Sequence, residues 1–569
     1  MNSDSPLAAP ISAEAMPAGR RGLPALWIIL LIIAVIAALG ISLMEEMKDG
    51  PLAFPDFRNW FNAFFVTTAA TEPAGLYLVL GFTIITGFGL WLGKKIWLPE
   101  TWATRIFDSR IAVPTLALFS LIFSAAGVWL VMHNRPLAAD ENMPDFQARI
   151  FLSGQLQETI PEKLRPIVQT FTPLNAVISA DRTRWNQAYL PVYAALRAPF
   201  LFLHLQTLVN PLLGAVAMMS MAGVCRILWP EKPWLSVAGA AFVALSPQVL
   251  ITGMTSYAMP AHLALNTVWL WLYLRPKSRW FWCAPIVGVL AVGLHSPFVH
   301  ALFAAPFLLR LVLDRRWKPA AVFAGIYLAG CVGYYFWWHF FAPVNAASTG
   351  LFSIQRPGYA IGQAINFLNL MSWSALPVPL LTGLAIWKYR QLPVPLRDGA
   401  MACLLTFVFY AMISFDQGLG WGNRYFHGVL GCYYLLAVFG LDVLIGCSGK
   451  KWALGCVLSG CLVTVLLLIP LRAWQAEKFV RPFAVAQERF QKMDVDLVLL
   501  DPRMAWYSSD LRRNNPSLTN RPLISNVAVL DQDQAVLLRK MFPKRHFATQ
   551  EELGSYGLST RPWTPIVGH

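Results

Sequence analysis

Charge is what this chain has least of: only 13% of its 569 residues are Asp, Glu, Lys or Arg, about half the share of a soluble globular protein. That scarcity excludes an ordinary soluble fold. The net charge of +15 comes from 45 basic against 30 acidic residues. The basic residues lie between apolar runs, which explains them without a nucleic-acid partner. Cysteine is sparse as well. All eight (Cys225, Cys283, Cys331, Cys403, Cys432, Cys447, Cys456 and Cys461) fall in or beside apolar runs, with no C-x-x-C pair and no zinc-type spacing. Neither a disulfide framework nor a structural metal is indicated, and the cysteines read as small apolar packing residues. No glycine-rich phosphate loop is present to cradle a nucleotide, and no internal repeat is detectable.

What the chain has instead is apolar length. It is 56% hydrophobic, with a mean hydropathy of +0.51, and many runs reach the ~20 residues needed to cross a bilayer. Roughly thirteen spans are expected, near 25–44, 74–92, 112–132, 206–228, 234–252, 258–275, 280–295, 297–313, 318–338, 366–387, 399–415, 427–446 and 452–471. Alternate loops collect the positive charge: Lys94 and Lys95, Arg226 and Lys232, Arg275 to Arg279, Arg310 to Lys318, Lys388 and Arg390, Lys450 and Lys451. The positive-inside rule then puts the N-terminus in the cytoplasm and the C-terminus outside. The tail 1–22 reads as disordered, and the run Leu26–Leu43, too long for a signal h-region, as a retained anchor.

Three outer segments are long enough to matter. Segment 133–205 carries polar and aromatic stretches such as WNQAYLPVYAALRAPF (Trp185–Phe200), expected as helices lying on the membrane surface. Segment 339–365 holds one basic residue, Arg356. In segment 472–569 the pattern changes: an amphipathic helix near 472–492 precedes two buried strands in Asp494–Asp501 and Arg521–Leu530, with a helix over Asp533–Phe542. The expected architecture is an all-α polytopic membrane protein of about thirteen transmembrane helices with a small C-terminal α/β module outside the membrane. Its parts are the tail 1–22, a membrane domain 23–471 with the large outer loop 133–205, and the module 472–569.

The polar residues that remain cluster on one face. Asp140 and Glu141 stand side by side in LAADENMPDFQARIFLSG, just beyond the third span, where carboxylates tend to mark function. Asn142 is expected to cap the helix that follows, with Pro144 at its first position and Gly154 at its end. Asp145 suits the same helix N-terminus through the dipole. His295 lies in GLHSPFVH, at the outer turn between the seventh and eighth spans. Asp416 and Arg424 lie in DQGLGWGNRYFH, between the eleventh and twelfth. A transport pathway would instead need polar groups near the midplane, and the spans show almost none.

At these residues the chain resembles the GT-C family of integral membrane glycosyltransferases that use polyprenyl-phosphate sugars, the group that includes protein O-mannosyltransferases and bacterial lipid A aminoarabinose transferases. Four stretches carry the resemblance: ADENMPDFQARIFLSGQL, the run from NPLLGAVAMM to LNTVWLWL, GVLAVGLHSPFVHALFAAPFLL, and GWGNRYFHGVLGCYYLLAVFGL. Many members carry a second acid where this chain reads SYAMPAH (Ser256–His262). Any second acid must here come from Glu141, Asp145 or Asp416.

The resemblance implies a GT-C-like membrane domain that moves a sugar from a polyprenyl-phosphate carrier to an envelope glycan, lipid or protein. It implies a multi-pass protein of the bacterial inner membrane, with its reaction on the outer face. Asp140 is nominated as the base, and Glu141 as its partner or second acid. Arg424 and Arg356 are nominated as phosphate clamps, since arginine binds phosphate oxygens bidentately, and His295 as an orienting group. The lipid-linked sugar is then a substrate, no cofactor or divalent metal is indicated, and membrane lipid is the only other partner. The alternative from another class is a multi-span lipid or polysaccharide transporter or flippase.

Overall fold

The computed structural model describes residues 109–341, 366–412, 420–505 and 507–560. The tail, the spans expected near 25–44 and 74–92, Arg356 and Asp416 lie outside these residues. Within them the chain is mostly helical. Six helices are long and apolar enough to cross a membrane, or eight if each of two bent pairs counts as one span.

Every span expected within the described residues coincides with a helix, but several differ in form. Those expected at 258–275 and 297–313 are helices of 15 and 17 residues, Met259–Tyr273 and Pro297–Leu313, short of the ~20 that a perpendicular crossing requires. The span expected at 234–252 breaks into Leu235–Ala244 and Pro247–Gly253, bent by 55°, because Pro247 has no N–H with which to continue the ladder. The span at 366–387 breaks more sharply, into Asn366–Ser372 and Pro377–Trp387 at 114°. The separate amphipathic helix expected at 472–492 is instead the continuation of the last span. Trp452–Gln491 runs unbroken for 40 residues, through a π turn at Thr464–Leu468. A π turn of this kind makes room for Pro470, which lacks a donor.

Leu430–Ser448 is the central helix of the bundle and is mostly buried, whereas Trp317–Phe341 is mostly exposed and lies at the periphery. Gly440 lets the central helix approach Pro377–Trp387 closely: a Cβ there would stand 1.9 Å from the Leu381 carbonyl oxygen.

Helix α1 (Ser109–Leu130) ends where His133 and Asn134 take φ of 51° and 52°, and helix α2 (Ala139–Leu152) begins. The expected start at Asn142 with Pro144 first is not what forms. Pro144 stands inside α2, and Asp140 and Glu141 occupy its first turn rather than a preceding loop.

Nor is segment 133–205 only surface helices. Strands β1 (Glu158–Thr159), β2 (Ala176–Ile178) and β3 (Arg184–Gln187) form a small antiparallel sheet in the order β1-β3-β2, and helix α3 (Val192–Phe202) follows. The C-terminal segment forms a parallel sheet in the order β5-β4-β6 from β4 (Leu497–Leu500), β5 (Leu523–Asn526) and β6 (Arg545–Phe547), with Leu497 opposite both Leu523 and Arg545. Helix Gln532–Met541 crosses between β5 and β6, as parallel neighbours require.

These two segments share one core. Met143, Phe146 and Trp185 pack with Leu497, Leu518, Leu523 and Leu538, and the Trp185 indole donates to the Pro516 carbonyl at 2.8 Å. The C-terminal segment is therefore part of the scaffold around α2.

Candidate active site

The first turn of α2 is held from three directions. Its N-cap residue, Ala138, has no side-chain acceptor for the orphan N–H groups that a helix start exposes. Glu141 reaches back instead. Its Oε1 accepts from the N–H groups of Leu137 and Ala138 at 3.2 and 3.4 Å, and its Oε2 accepts from the Ser256 N–H at 3.0 Å. The Ala139 N–H donates to Asp510 Oδ1 at 2.8 Å, so the C-terminal segment supplies the missing cap. Arg513 donates from Nη2 to the Leu137 carbonyl at 2.6 Å, and from Nε to the Asp510 carbonyl at 3.0 Å. All the acceptor capacity of Glu141 that these contacts use goes to backbone. Its burial raises its pKa, and the backbone donors offset part of that rise.

Asp140, on the other side of the same turn, points at side chains. Oδ1 accepts from Asn175 Nδ2 at 2.8 Å and from the Tyr189 hydroxyl, and Oδ2 accepts from Arg424 Nη2 at 2.7 Å. Burial pushes the Asp140 carboxyl up, but the Arg424 guanidinium, with His295 and the Tyr189 hydroxyl, outweighs it. The group lies below the usual carboxylate range. Tyr189 is driven well above the ordinary tyrosine value, by burial first and then by the Asp140 charge, and it stays a donor. His295 stacks on Tyr189 with ring centroids 4.0 Å apart. Desolvation pulls its pKa down to about 4 against the opposing pull of Asp140, so the ring is neutral at pH 7.

Arg424 sits in a single 3-10 turn, Arg424–Phe426, ahead of the central helix. Its guanidinium lies 5.0 Å from the Tyr257 ring centroid and 5.6 Å from that of Tyr425, a cation–π cradle. The turn is clamped by Gln248, whose amide pairs with one backbone unit. Its Nε2 donates to the Asn423 carbonyl at 2.7 Å, and its Oε1 accepts the Asn423 N–H at 3.0 Å. Gly422, at φ 73°, lets that amide in, because a Cβ there would stand 2.3 Å from Gln248 Oε1. Gln248 is itself fixed at the helix break, where its N–H donates to the Trp373 carbonyl at 3.0 Å.

Of the residues singled out from sequence, the structure thus brings Asp140, Arg424 and His295 together, with Glu141 beneath them. Asp145 is engaged elsewhere. Arg197 grips it through Nε at 2.6 Å and Nη2 at 3.0 Å, which ties α2 to α3. Sequence reasoning missed Tyr189, Asn175, Tyr257, Gln248, Asp510 and Arg513. Tyr189 and Tyr257 lay in quoted stretches, but a single tyrosine among many carries no signal by itself. Gln248 had one: an amide inside an apolar run, beside a proline.

A part-buried carboxylate and a buried guanidinium, poised against each other at the ends of membrane-type helices, can divide two tasks: taking a proton and holding an oxyanion. Three comparisons bear on the chain as a whole. No family model matches it, and no curated protein matches its sequence. Among solved structures, it is similar to ArnT from Cupriavidus metallidurans in the apo state, with a TM-score of 0.50 and 12% identity over 77% of this chain and 89% of that one. The same protein bound to undecaprenyl phosphate aligns with a TM-score of 0.49 and 13% identity over 75% of this chain and 88% of that one. At such identities the likeness is one of fold, and this chain has the GT-C glycosyltransferase fold that ArnT has.

Proposed function

We propose that the protein is a membrane glycosyltransferase that moves a sugar from a polyprenyl-phosphate carrier to an envelope acceptor on the outer face of the bacterial inner membrane. The observation that carries this reading is the Asp140–Arg424 pair, held at 2.7 Å in a chain of GT-C fold. In the resting site each group masks the other. A donor phosphate entering between them competes for the guanidinium, whose planar fork suits two phosphate oxygens. Once Arg424 turns to the phosphate, Asp140 loses its main stabilising charge, and its pKa rises toward that of a useful base.

The acceptor hydroxyl then gives its proton to Asp140 as its oxygen bonds to the anomeric carbon. The bond from that carbon to the phosphate oxygen breaks, and the electron pair leaves with the lipid phosphate, held by Arg424. One displacement of this kind inverts the anomeric centre. Tyr189 and Asn175 keep the carboxylate aimed, neutral His295 offers a ring nitrogen to sugar or phosphate, and Glu141 fixes the backbone that carries Asp140. The test is transfer of label from a radiolabelled polyprenyl-phosphate sugar by the purified protein, together with mass spectrometry of envelope glycans in a deletion strain. Unchanged glycans and no transfer with any polyprenyl-phosphate sugar would rule the reading out.

The transporter alternative draws on the two broken helices, a feature of transporter sites. Their breaks carry the contacts of Trp373 and Gln248 that fix Asn423, and this favours the enzyme.

A further inference from the structure

A cavity of about 750 Å³ lies on the side of α2 turned away from Asp140. The α2 residues that line it are Glu141, Asn142, Asp145, Phe146 and Arg149. At ~100° per residue they centre roughly 170° around the helix from Asp140. Neither Arg424, Tyr189 nor His295 lines it, so it is separate from the reaction centre. Its apolar edge is the outer end of α1, where Trp129 is 60% exposed. Its opposite wall comes from the long helix that ends at Gln491 and from the C-terminal segment.

The lining is rich in cations. Arg135, Arg149, Arg197 and Arg513 face it, against the carboxylates of Glu141 and Asp145 only. Asp145 is taken by Arg197, and Glu141 accepts from backbone N–H groups. Among the described residues Arg135 donates to the amide oxygens of Gln487 and Gln491 at 3.4 Å, with the Glu488 charge nearby, and Arg149 is exposed. Two buried donors in this wall, Arg513 Nη1 and Gln487 Nε2, have no acceptor among the described residues, and the Gln487 residue is only 6% exposed. Buried donors normally find an acceptor. Here the acceptor is missing from a cavity ringed by guanidinium groups.

We infer that this cavity is a second binding site, for a phosphate group. Guanidinium forks match phosphate oxygens in geometry and charge, and Gln487 Nε2 adds a neutral donor. The exposed Trp129 at the level of the span ends is the kind of aromatic that sits among headgroups, which fits a phosphate carried by a membrane lipid. A soluble phosphate ester would meet the same donors. Neither source depends on the sugar-transfer reaction, so the site stands or falls by binding alone.

The test uses the full-length protein in nanodiscs of phosphatidylcholine, with and without about one-fifth phosphatidylglycerol, and native mass spectrometry to count retained lipid. Radiolabelled inorganic phosphate is titrated in parallel into both kinds of disc. Phosphatidylglycerol retained at about one per chain, and not displaced by inorganic phosphate, identifies a lipid headgroup. Binding of inorganic phosphate in the neutral discs identifies a soluble source. In either case Arg149→Gln and Arg513→Gln should each weaken binding about tenfold or more, the scale of one charge-assisted hydrogen bond. Arg513 also braces the start of α2, so Arg149→Gln, at an exposed position, decides if Arg513→Gln fails to fold. Absence of binding by both probes, or wild-type binding by Arg149→Gln, overturns the site.

Discussion

Arg424 and Asp140, 284 residues apart in the chain, meet at 2.7 Å. Each is the other's charge partner, and each is also the group that the proposed reaction must free. If Asp140 is the base, Asp140→Asn keeps the hydrogen bonds from Tyr189 and Asn175 but cannot take a proton. Transfer should fall by ~10²-fold or more, the usual scale for a positioned base. Binding of the polyprenyl-phosphate donor should hold or tighten, because the Asp140 charge no longer competes with the phosphate for Arg424. Near-normal turnover by the purified variant would end the assignment.

Arg424 is tested by comparing lysine with alanine. Lysine keeps the charge but lacks the fork, and it stacks less well over Tyr257. Since negative charge builds on the phosphate as the sugar leaves, Arg424→Lys should lower kcat more than it weakens donor binding. Arg424→Ala should lose both. Full activity with lysine would reduce Arg424 to an interfacial anchor and move attention to Arg356.

Gln248 acts through the backbone: its amide fixes Asn423, the residue just before Arg424. Gln248→Leu strands the Asn423 N–H and carbonyl in a buried place, at about 1–3 kcal/mol each. The expected result is a drop in kcat of roughly tenfold, with a smaller change in donor KM, because a clamp that wanders by an ångström loses alignment first. Gly422→Ala should reproduce the defect, since its Cβ meets the same amide. Equal losses in kcat and protein yield would instead mark Gln248 as a folding residue only.

The cap from Asp510 carries a pH signature. Burial first, then the nearby Asp140 and Glu141 charges, push its pKa up to about 7, against the opposing pull of the Ala139 N–H and Arg513. A carboxyl whose folded pKa is raised stabilises the fold fully below its unfolded value, near pH 4, and loses that contribution as pH rises to about 7. Asp510→Asn keeps an oxygen for the Ala139 N–H and removes the charge. It should therefore melt near wild type at about pH 4 and increasingly above it toward about pH 8, by an amount on the order of a few kcal/mol. Detergent-solubilised protein followed by tryptophan fluorescence would read this. A melting difference that does not change with pH would show that Asp510 does not titrate in this range.

How much of this was legible in the sequence varies from residue to residue. Span positions were legible because apolar length is a strong one-dimensional signal, and the helices at 109–130, 206–228, 317–341 and 430–448 fall where it puts them. The pairing of Asp140 with Arg424 was half legible: both stood out as charges at span ends, but nothing in one dimension says that two such ends touch. The small antiparallel sheet was illegible, since β1 is two residues long and its partner reads RWNQ, without alternation. The start of α2 was misread for a physical reason. The Ala139 N–H at its start is capped not by a neighbouring side chain but by Asp510, and a cap supplied from elsewhere leaves no mark in the sequence around it.

That borrowed cap sets an order of events during synthesis. The Ala139 N–H waits for a carboxylate 371 residues downstream, which at 5–20 residues per second is roughly 20–75 s of translation. Through that interval the turn that holds Asp140 lacks its cap and the side chains of Met143 and Phe146 lack their covering strands. The turn that carries Asp140 is therefore fully held only once the segment around Asp510 has been made and has docked against it.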